Sequence, residues 1–139
     1  ADPDAINRAV SKGLFSRAFK RTATAPAELA SMIETGLERR ALDALGLARR
    51  TGEAVTGFDQ VKSALDKGKA AVLIAAADAG ADGQGKLARA GRSLPRVTGF
   101  SSAALSAAFG KDGVVHAALL KGAAAQRFLT EARRLQGFR

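Results

Sequence analysis

The sequence predicts an α/β fold: a three-layer α/β/α sandwich with a small mixed sheet, preceded by an N-terminal helical extension. Three observations support this prediction. Residues 70–77 form an unbroken apolar run, which is typical of a strand that is covered on both faces. A helical pattern precedes the run and ends at Gly68. From residue 37 onwards, helical and strand patterns alternate along the chain.

The helical extension is predicted over residues 1–25. Asp2 and Pro3 are an N-cap residue and a first-turn residue that favour the start of a helix. An apolar stripe follows at helical spacing: Ile6, Val10, Leu14 and Ala18. The segment that ends at Pro26 interrupts this pattern, and we interpret it as a linker.

The main domain is predicted over residues 26–139, with its core in residues 37–135. Its first helix is long, because apolar residues recur every four positions from Leu29 to Ala48. Gly36 lies inside this pattern and disfavours the helix by about 1 kcal/mol relative to Ala, so we expect a kink or a break there. The remaining elements are predicted in this order: a very short strand before Gly57, a helix over 59–67, the strand of the apolar run, a helix over 85–90, a strand over 96–98, a helix from Ser101 or Ser102 to Phe109, a strand over 114–120 and a final helix.

Composition restricts the function classes. Twenty-two basic and 13 acidic residues give a net charge of +9, which favours a polyanionic partner. The chain has no cysteine, which excludes disulfides, thiol chemistry and cysteine-ligated zinc. No apolar run approaches the ~18 residues of a membrane span, and no signal peptide is visible. We therefore expect a cytoplasmic protein without a membrane partner.

Sequence motifs give little support for catalysis. Residues Gly80 to Lys86 fit the GxxxxGK pattern of a phosphate-binding loop, but Leu87 follows where magnesium needs a hydroxyl ligand. We therefore interpret this segment as a glycine-rich loop, and a nucleotide-binding enzyme is the third and least favoured reading. His116 is the single histidine and lies in an apolar strand, so we expect a satisfied or edge-exposed side chain rather than a catalytic base. The sequence predicts no catalytic residue, no metal site and no cofactor.

Basic residues near a helix start favour RNA binding. Arg49, Arg50, Lys62 and Lys86 are expected to converge with the helix that begins after Gly57, where backbone N–H groups attract anions. The seven phenylalanines are mostly spaced as core residues, which favours structured RNA over single strands. The alternative is a protein-interaction or assembly module whose basic surface is incidental.

Several segments in the same order resemble the kink-turn-binding ribosomal protein superfamily, in particular its small bacterial ribosome-associated members. These segments are residues 45–52, Gly57, residues 68–78, residues 100–110 and the pair Val114-Val115. The resemblance covers residues 37–135. It implies an α/β/α sandwich without enzymatic activity, a kink-turn-like or ribosomal RNA as partner, contacts with the ribosome or with transcription and translation proteins, and a role in ribosome assembly or translation.

The resemblance also implies RNA-contacting positions. Asp59, Gln60 and Ser63 occupy positions where the family carries Asn, Glu and Lys, and Lys62 is an imperfect substitute for the missing cation. The family's second contact is an apolar loop, which corresponds here to Val114 and Val115.

The N-terminal segment carries a second resemblance. Residues 6–21, and especially residues 12–21, are similar to the tail of a YlxR-type domain, a small domain associated with nucleic-acid binding. This similarity implies that residues 1–25 are the remnant of an upstream domain.

Overall fold

The computed structural model describes residues 25–139 and confirms the predicted α/β architecture. The helical extension predicted over residues 1–25 lies outside the described residues, except that Ala25 begins a long helix. The elements follow in this order: α1 (Ala25–Arg50), β1 (Ala54–Thr56), α2 (Phe58–Asp66), β2 (Ala70–Ala75), α3 (Ala81–Ala90), β3 (Arg96–Val97), α4 (Ser102–Phe109), β4 (His116–Leu120) and α5 (Ala123–Phe138). No helix within residues 25–139 is long and apolar enough to cross a membrane.

The four strands form one mixed sheet in the order β1-β4-β2-β3. β4 pairs antiparallel with both β1 and β2, and β2 pairs in parallel with β3. The two central strands, β4 and β2, are therefore the ones that helices must cover on both faces. Thr56, the last residue of β1, pairs with Ala117. The end of β1 and the start of β4 at His116 therefore lie at the same end of the sheet.

Helices cover both faces of the sheet and create two cores. Val72 and Ile74 of β2 face the larger core, which α1, α4 and α5 complete. Leu73, between them in sequence, faces a smaller core that α2 and α3 complete. This alternation explains why the strand is apolar at every position, and it gives the three layers that the sequence predicts.

Among the differences from the sequence predictions, three affect how an element is interpreted. α1 is continuous through Gly36, where we expected a kink or a break. α3 begins at Ala81 instead of residue 85, so the segment predicted as a glycine-rich loop forms the first turns of a helix. β4 begins at His116 instead of Val114.

Tertiary contacts account for the last two differences. Gly83 lies in α3 against the ring of His116, where an added Cβ would be 3.2 Å from Nε2. Leu87, only 1% exposed, anchors the same helix in the smaller core, so packing outweighs the low helix propensity of glycine. The backbone of Val114 is hydrogen-bonded to the side chains of Ser102 and Ser106 in α4, which removes it from the strand ladder.

Candidate nucleic-acid interface

The start of α2 is fixed to the sheet by a glycine with a positive φ. Gly57 has φ +90° and is exposed, and a Cβ added there would meet no neighbouring atom. Its N–H donates to the His116 carbonyl, and its own carbonyl accepts the Val61 N–H, both at 3.0 Å. A side chain would strain this backbone conformation, so glycine both permits the turn and leaves the helix end open to a ligand.

The first turn of α2 points polar groups towards solvent. Gly57 provides no capping side chain, so the first N–H groups of the helix have neither a side-chain cap nor an intrahelical partner. Phe58 turns inward and meets the ring of His116 edge-on, with the ring centroids 6.0 Å apart. Asp59, Gln60 and Ser63 are all exposed, as the family resemblance requires of contact residues.

The α4–β4 loop (residues 110–115) lies beside this helix start. Two glycines with positive φ, Gly110 and Gly113, shape the loop. Val114 is only 4% exposed and belongs to the larger core, so its side chain cannot form the apolar RNA contact that the resemblance implies. Val115 is half-buried against the same core. The residues that this loop exposes are instead Gly110, Lys111, Asp112 and Gly113.

Lys111 connects the loop to the α2 start and is the residue that sequence reasoning missed. Its Nζ donates to Thr56 Oγ1 at 3.4 Å, one residue before Gly57. Arg49 reaches the same loop, because a Cβ added at Gly110 would lie 3.2 Å from its Nη1. A cation is also favourable there because Gly110 closes the C-terminus of α4. The only available signal was sequence position, since Lys111 directly follows the glycine that ends a predicted helix.

Two of the other predicted cations, Arg50 and Lys62, are directed away from this point. Arg50 lines a groove between α1 and α4. It points away from the α4–β4 loop because consecutive residues of a helix, here Arg49 and Arg50, point about 100° apart. Lys62 forms an ion pair with Asp66, with 2.9 Å between Nζ and Oδ2, which directs it along α2 away from Gly57. Lys86 is exposed on α3, the helix that packs beside α2.

We call the surface formed by Gly57, Asp59, Gln60, Lys111 and Arg49 the α2 face. It combines unbonded helix N–H groups, one amide side chain and two cations with one carboxylate. Such a mixture suits a ligand that carries both phosphates and hydrogen-bonding bases.

His116 differs from its sequence prediction. It is only 7% exposed, and its Nδ1 has no hydrogen-bond partner among residues 25–139, so it is neither satisfied nor edge-exposed. Burial lowers the pKa of its imidazole, because desolvation disfavours the charged form. The neutral ring packs between Phe58 and Gly83, and its contact with Phe58 holds the first residue of α2 against the sheet.

The segment from Gly80 to Lys86 does not form a phosphate-binding loop. Gly80 precedes α3, and residues 81–86 are helical. A phosphate-binding loop needs irregular backbone that wraps its N–H groups around the anion, whereas in α3 the N–H groups from Gln84 onwards are directed along the helix axis to carbonyls one turn earlier. Within the described part of the chain, no group of three His, Asp or Glu residues is arranged to hold a metal ion.

Comparisons with known proteins find similarity in fold. No protein-family model matches the chain, and no curated protein matches it in sequence. A protein of unknown function from Bacillus halodurans is 26% identical with a TM-score of 0.64, and the match covers 68% of this chain and 97% of that one. The 15.5kD RNA binding protein of Giardia lamblia is 20% identical with a TM-score of 0.59, and the match covers 75% of this chain and 91% of that one. One structural neighbour of this chain is therefore an RNA-binding protein.

Proposed function

We propose that this chain is a non-catalytic protein that binds structured RNA through the α2 face. One observation carries the proposal: two separate parts of the chain, the start of α2 and the α4–β4 loop, are fastened side by side. The Gly57–His116 and Lys111–Thr56 hydrogen bonds make this junction. It places helix N–H groups and cations next to an amide that can read a base.

Each part of the α2 face has a distinct role in this proposal. Lys111 and Arg49 attract phosphates, and the helix N–H groups add fixed donors and the positive end of the α2 dipole. Gly57 lets the RNA backbone approach closely because no side chain covers it. Gln60 donates to and accepts from a base edge. Asp59 repels phosphates, so we expect a base amino group or a ribose hydroxyl beside it.

The aromatic side chains of the described residues bear on the kind of RNA: Phe58 and Phe138 are half-buried, and the other three are fully buried. Phe100, Phe109 and Phe128 are buried in the larger core, so they offer no platform on which unpaired bases stack. The likeness to an RNA binding protein supports RNA as the ligand class, and the net charge of +9 is consistent with it. We infer a structured RNA, kink-turn-like or ribosomal, and a role in ribosome assembly or translation in the cytoplasm.

Lys111 gives the most direct test of the α2 face. We expect Lys111→Glu to weaken binding to a kink-turn RNA, and to reduce the slope of log affinity against log salt by about 0.7–0.9 if one phosphate contact is lost. Fluorescence anisotropy at several salt concentrations measures both quantities. Lys121→Glu is the matched control, because Lys121 is exposed after the far end of β4 and the change in net charge is the same. Equal effects of the two variants would show that the RNA binds elsewhere.

A further inference from the structure

A groove of about 650 Å³ lies between α1 and α4 and is not part of the α2 face. Its floor is apolar, with Leu42, Leu47 and Ala108 each half-buried. Three exposed arginines line its rim: Arg39, Arg50 and Arg127. We call this feature the arginine groove. It combines an accessible apolar surface with a concentration of positive charge.

The three arginines of the groove have no partner within the described part of the chain. None of them takes part in an ion pair or a hydrogen bond, and a single carboxylate, Asp43, lines the groove. Two other arginines on α5 and at its end are paired, since Arg134 contacts Glu131 and Arg139 reaches Glu34 and Glu38. The groove therefore presents unneutralised charge that an acidic ligand would complement.

The combination of floor and rim selects the class of ligand. A nucleic-acid backbone would satisfy the arginines but would leave the apolar floor in contact with water. An amphipathic helix with acidic flanks satisfies both, because its apolar stripe covers the floor while its carboxylates meet the rim. We propose that the arginine groove binds an acidic amphipathic helix of a partner protein.

The spacing of the rim fits such a helix. Arg39 and Arg50 are eleven residues apart on α1, which is about 17 Å along the helix axis. A partner helix that lies along α1 would pass both arginines within about three turns. Residues 1–24 of this chain are a poor occupant, because basic side chains outnumber acidic ones there: Arg8, Lys12, Arg17, Lys20 and Arg21 against Asp2 and Asp4.

The probe for this proposal is a fluorescent amphipathic peptide of about 18 residues, with leucines at helical 3–4 spacing and glutamates on both flanks. Two control peptides are used: one has the same composition in scrambled order, and one carries glutamine in place of glutamate. The protein variant Arg39→Glu/Arg127→Glu reverses two rim charges without touching the α2 face. Arg40→Glu/Arg133→Glu changes the net charge equally on the same two helices, at exposed positions outside the groove.

We expect the full chain to bind the patterned peptide and neither control peptide. Arg39→Glu/Arg127→Glu should weaken this binding about tenfold more than Arg40→Glu/Arg133→Glu does. Ala104→Gln, which places a polar side chain on the groove without changing charge, should weaken peptide binding and leave RNA binding unchanged. Thermal melts of each variant verify that it is folded.

Three results would overturn the proposal. In the first, the patterned peptide does not bind the folded chain. In the second, the two double variants lose the same amount of affinity for the peptide. Alternatively, Arg39→Glu/Arg127→Glu could lose RNA rather than the peptide, which would make the groove a nucleic-acid surface. The last result would contradict the proposed function as well, because the α2 face is intact in that variant, whereas the first two results would leave RNA binding through the α2 face untouched.

Discussion

His116 is the residue whose environment makes the fold sensitive to acid. Burial lowers its pKa, so between the folded-state pKa and 6.5 the unfolded chain is protonated while the folded chain is not. The unfolded state binds more protons, and the free energy of unfolding therefore falls as pH drops below 6.5. We expect urea unfolding between pH 7 and 5 to show this loss, and His116→Leu to reduce it.

The measurement is simplified by composition, because His116 is the single histidine of the chain. Its imidazole resonances report the folded-state pKa directly by NMR titration. The carboxylates are identical in the wild type and in His116→Leu, so the difference between their pH profiles isolates the imidazole. A titrated pKa of 6.5 or higher would contradict the structural account.

Asp59 and Ser63 provide a test of the proposed preference for a kink-turn RNA. Both are exposed on α2, and in the resembling family these positions carry Asn and Lys. We expect Asp59→Asn to tighten binding to a kink-turn RNA because it removes a carboxylate near phosphates, and Asp59→Asn/Ser63→Lys to tighten it further. Anisotropy titrations against a kink-turn and a plain duplex of equal length measure the preference.

Lys67→Asn is the control for these two substitutions, since it changes an exposed residue just beyond the opposite end of α2. It should not improve binding. If Asp59→Asn/Ser63→Lys leaves RNA affinity unchanged while Arg133→Glu on α5 abolishes it, the RNA-binding surface lies on α5. The assignment of RNA binding to the α2 face is then wrong.

At the scale of elements, α4 holds the loop that the α2 face depends on. Ser106 Oγ accepts the Val114 N–H, and Ser102 Oγ donates to the Val114 carbonyl, both at 3.0 Å. We expect Ser102→Ala/Ser106→Ala to lower the free energy of unfolding by about 2 kcal/mol, roughly 1 for each hydrogen bond. The loop then releases Lys111, so RNA affinity should fall although no charge has changed.

Ser101→Ala separates loop position from general stability. Ser101 caps the same helix by accepting the Ala104 N–H, and its loss should cost about 1 kcal/mol without touching Val114. RNA affinity should therefore persist in Ser101→Ala. If it falls in proportion to stability in both variants, the loop has no specific part in binding.

The elements show which patterns predict structure and which do not. The apolar run from residue 70 and the stop at Gly68 predicted β2 and the end of α2, because periodicity and backbone conformation are local properties. The α3 start was missed because Gly83 and Gly85 disfavour a helix locally. Gly83 leaves room for the ring of His116, which is distant in sequence, since an added Cβ would lie 3.2 Å from its Nε2. The strand character of Val114 was misread because two serines of α4 bind its backbone.

The arrangement of residues in the proposed α2 face could be predicted only in part for the same reason. Gly57, Asp59 and Gln60 were identified because the helix start and the family resemblance fix their positions. Sequence gave no means to distinguish Arg49 from Arg50, since the direction of each depends on the rotation of α1 against α4. Lys111 was missed because its proximity to Thr56 arises from the antiparallel pairing of β1 with β4.

At the scale of the whole molecule, the end of α1 supplies a cation to each of two surfaces. Arg49 lies against the α4–β4 loop and serves the α2 face, while Arg50 lines the arginine groove. The two surfaces are therefore adjacent but face different directions. The two proposals together therefore predict that a protein bound in the arginine groove leaves the α2 face accessible to RNA.

The folding of this unit should not require the segment that precedes it. Every buried residue of both cores lies between Leu37 and Leu135 within the described part of the chain. We expect deletion of residues 1–21 to shift the thermal midpoint by only a few degrees, which corresponds to less than ~1 kcal/mol. Any loss of RNA affinity should be electrostatic, because the deleted segment carries Arg8, Lys12, Arg17, Lys20 and Arg21. The loss of RNA affinity should therefore vanish at high salt. If the truncated chain no longer unfolds cooperatively, the deleted segment belongs to the core.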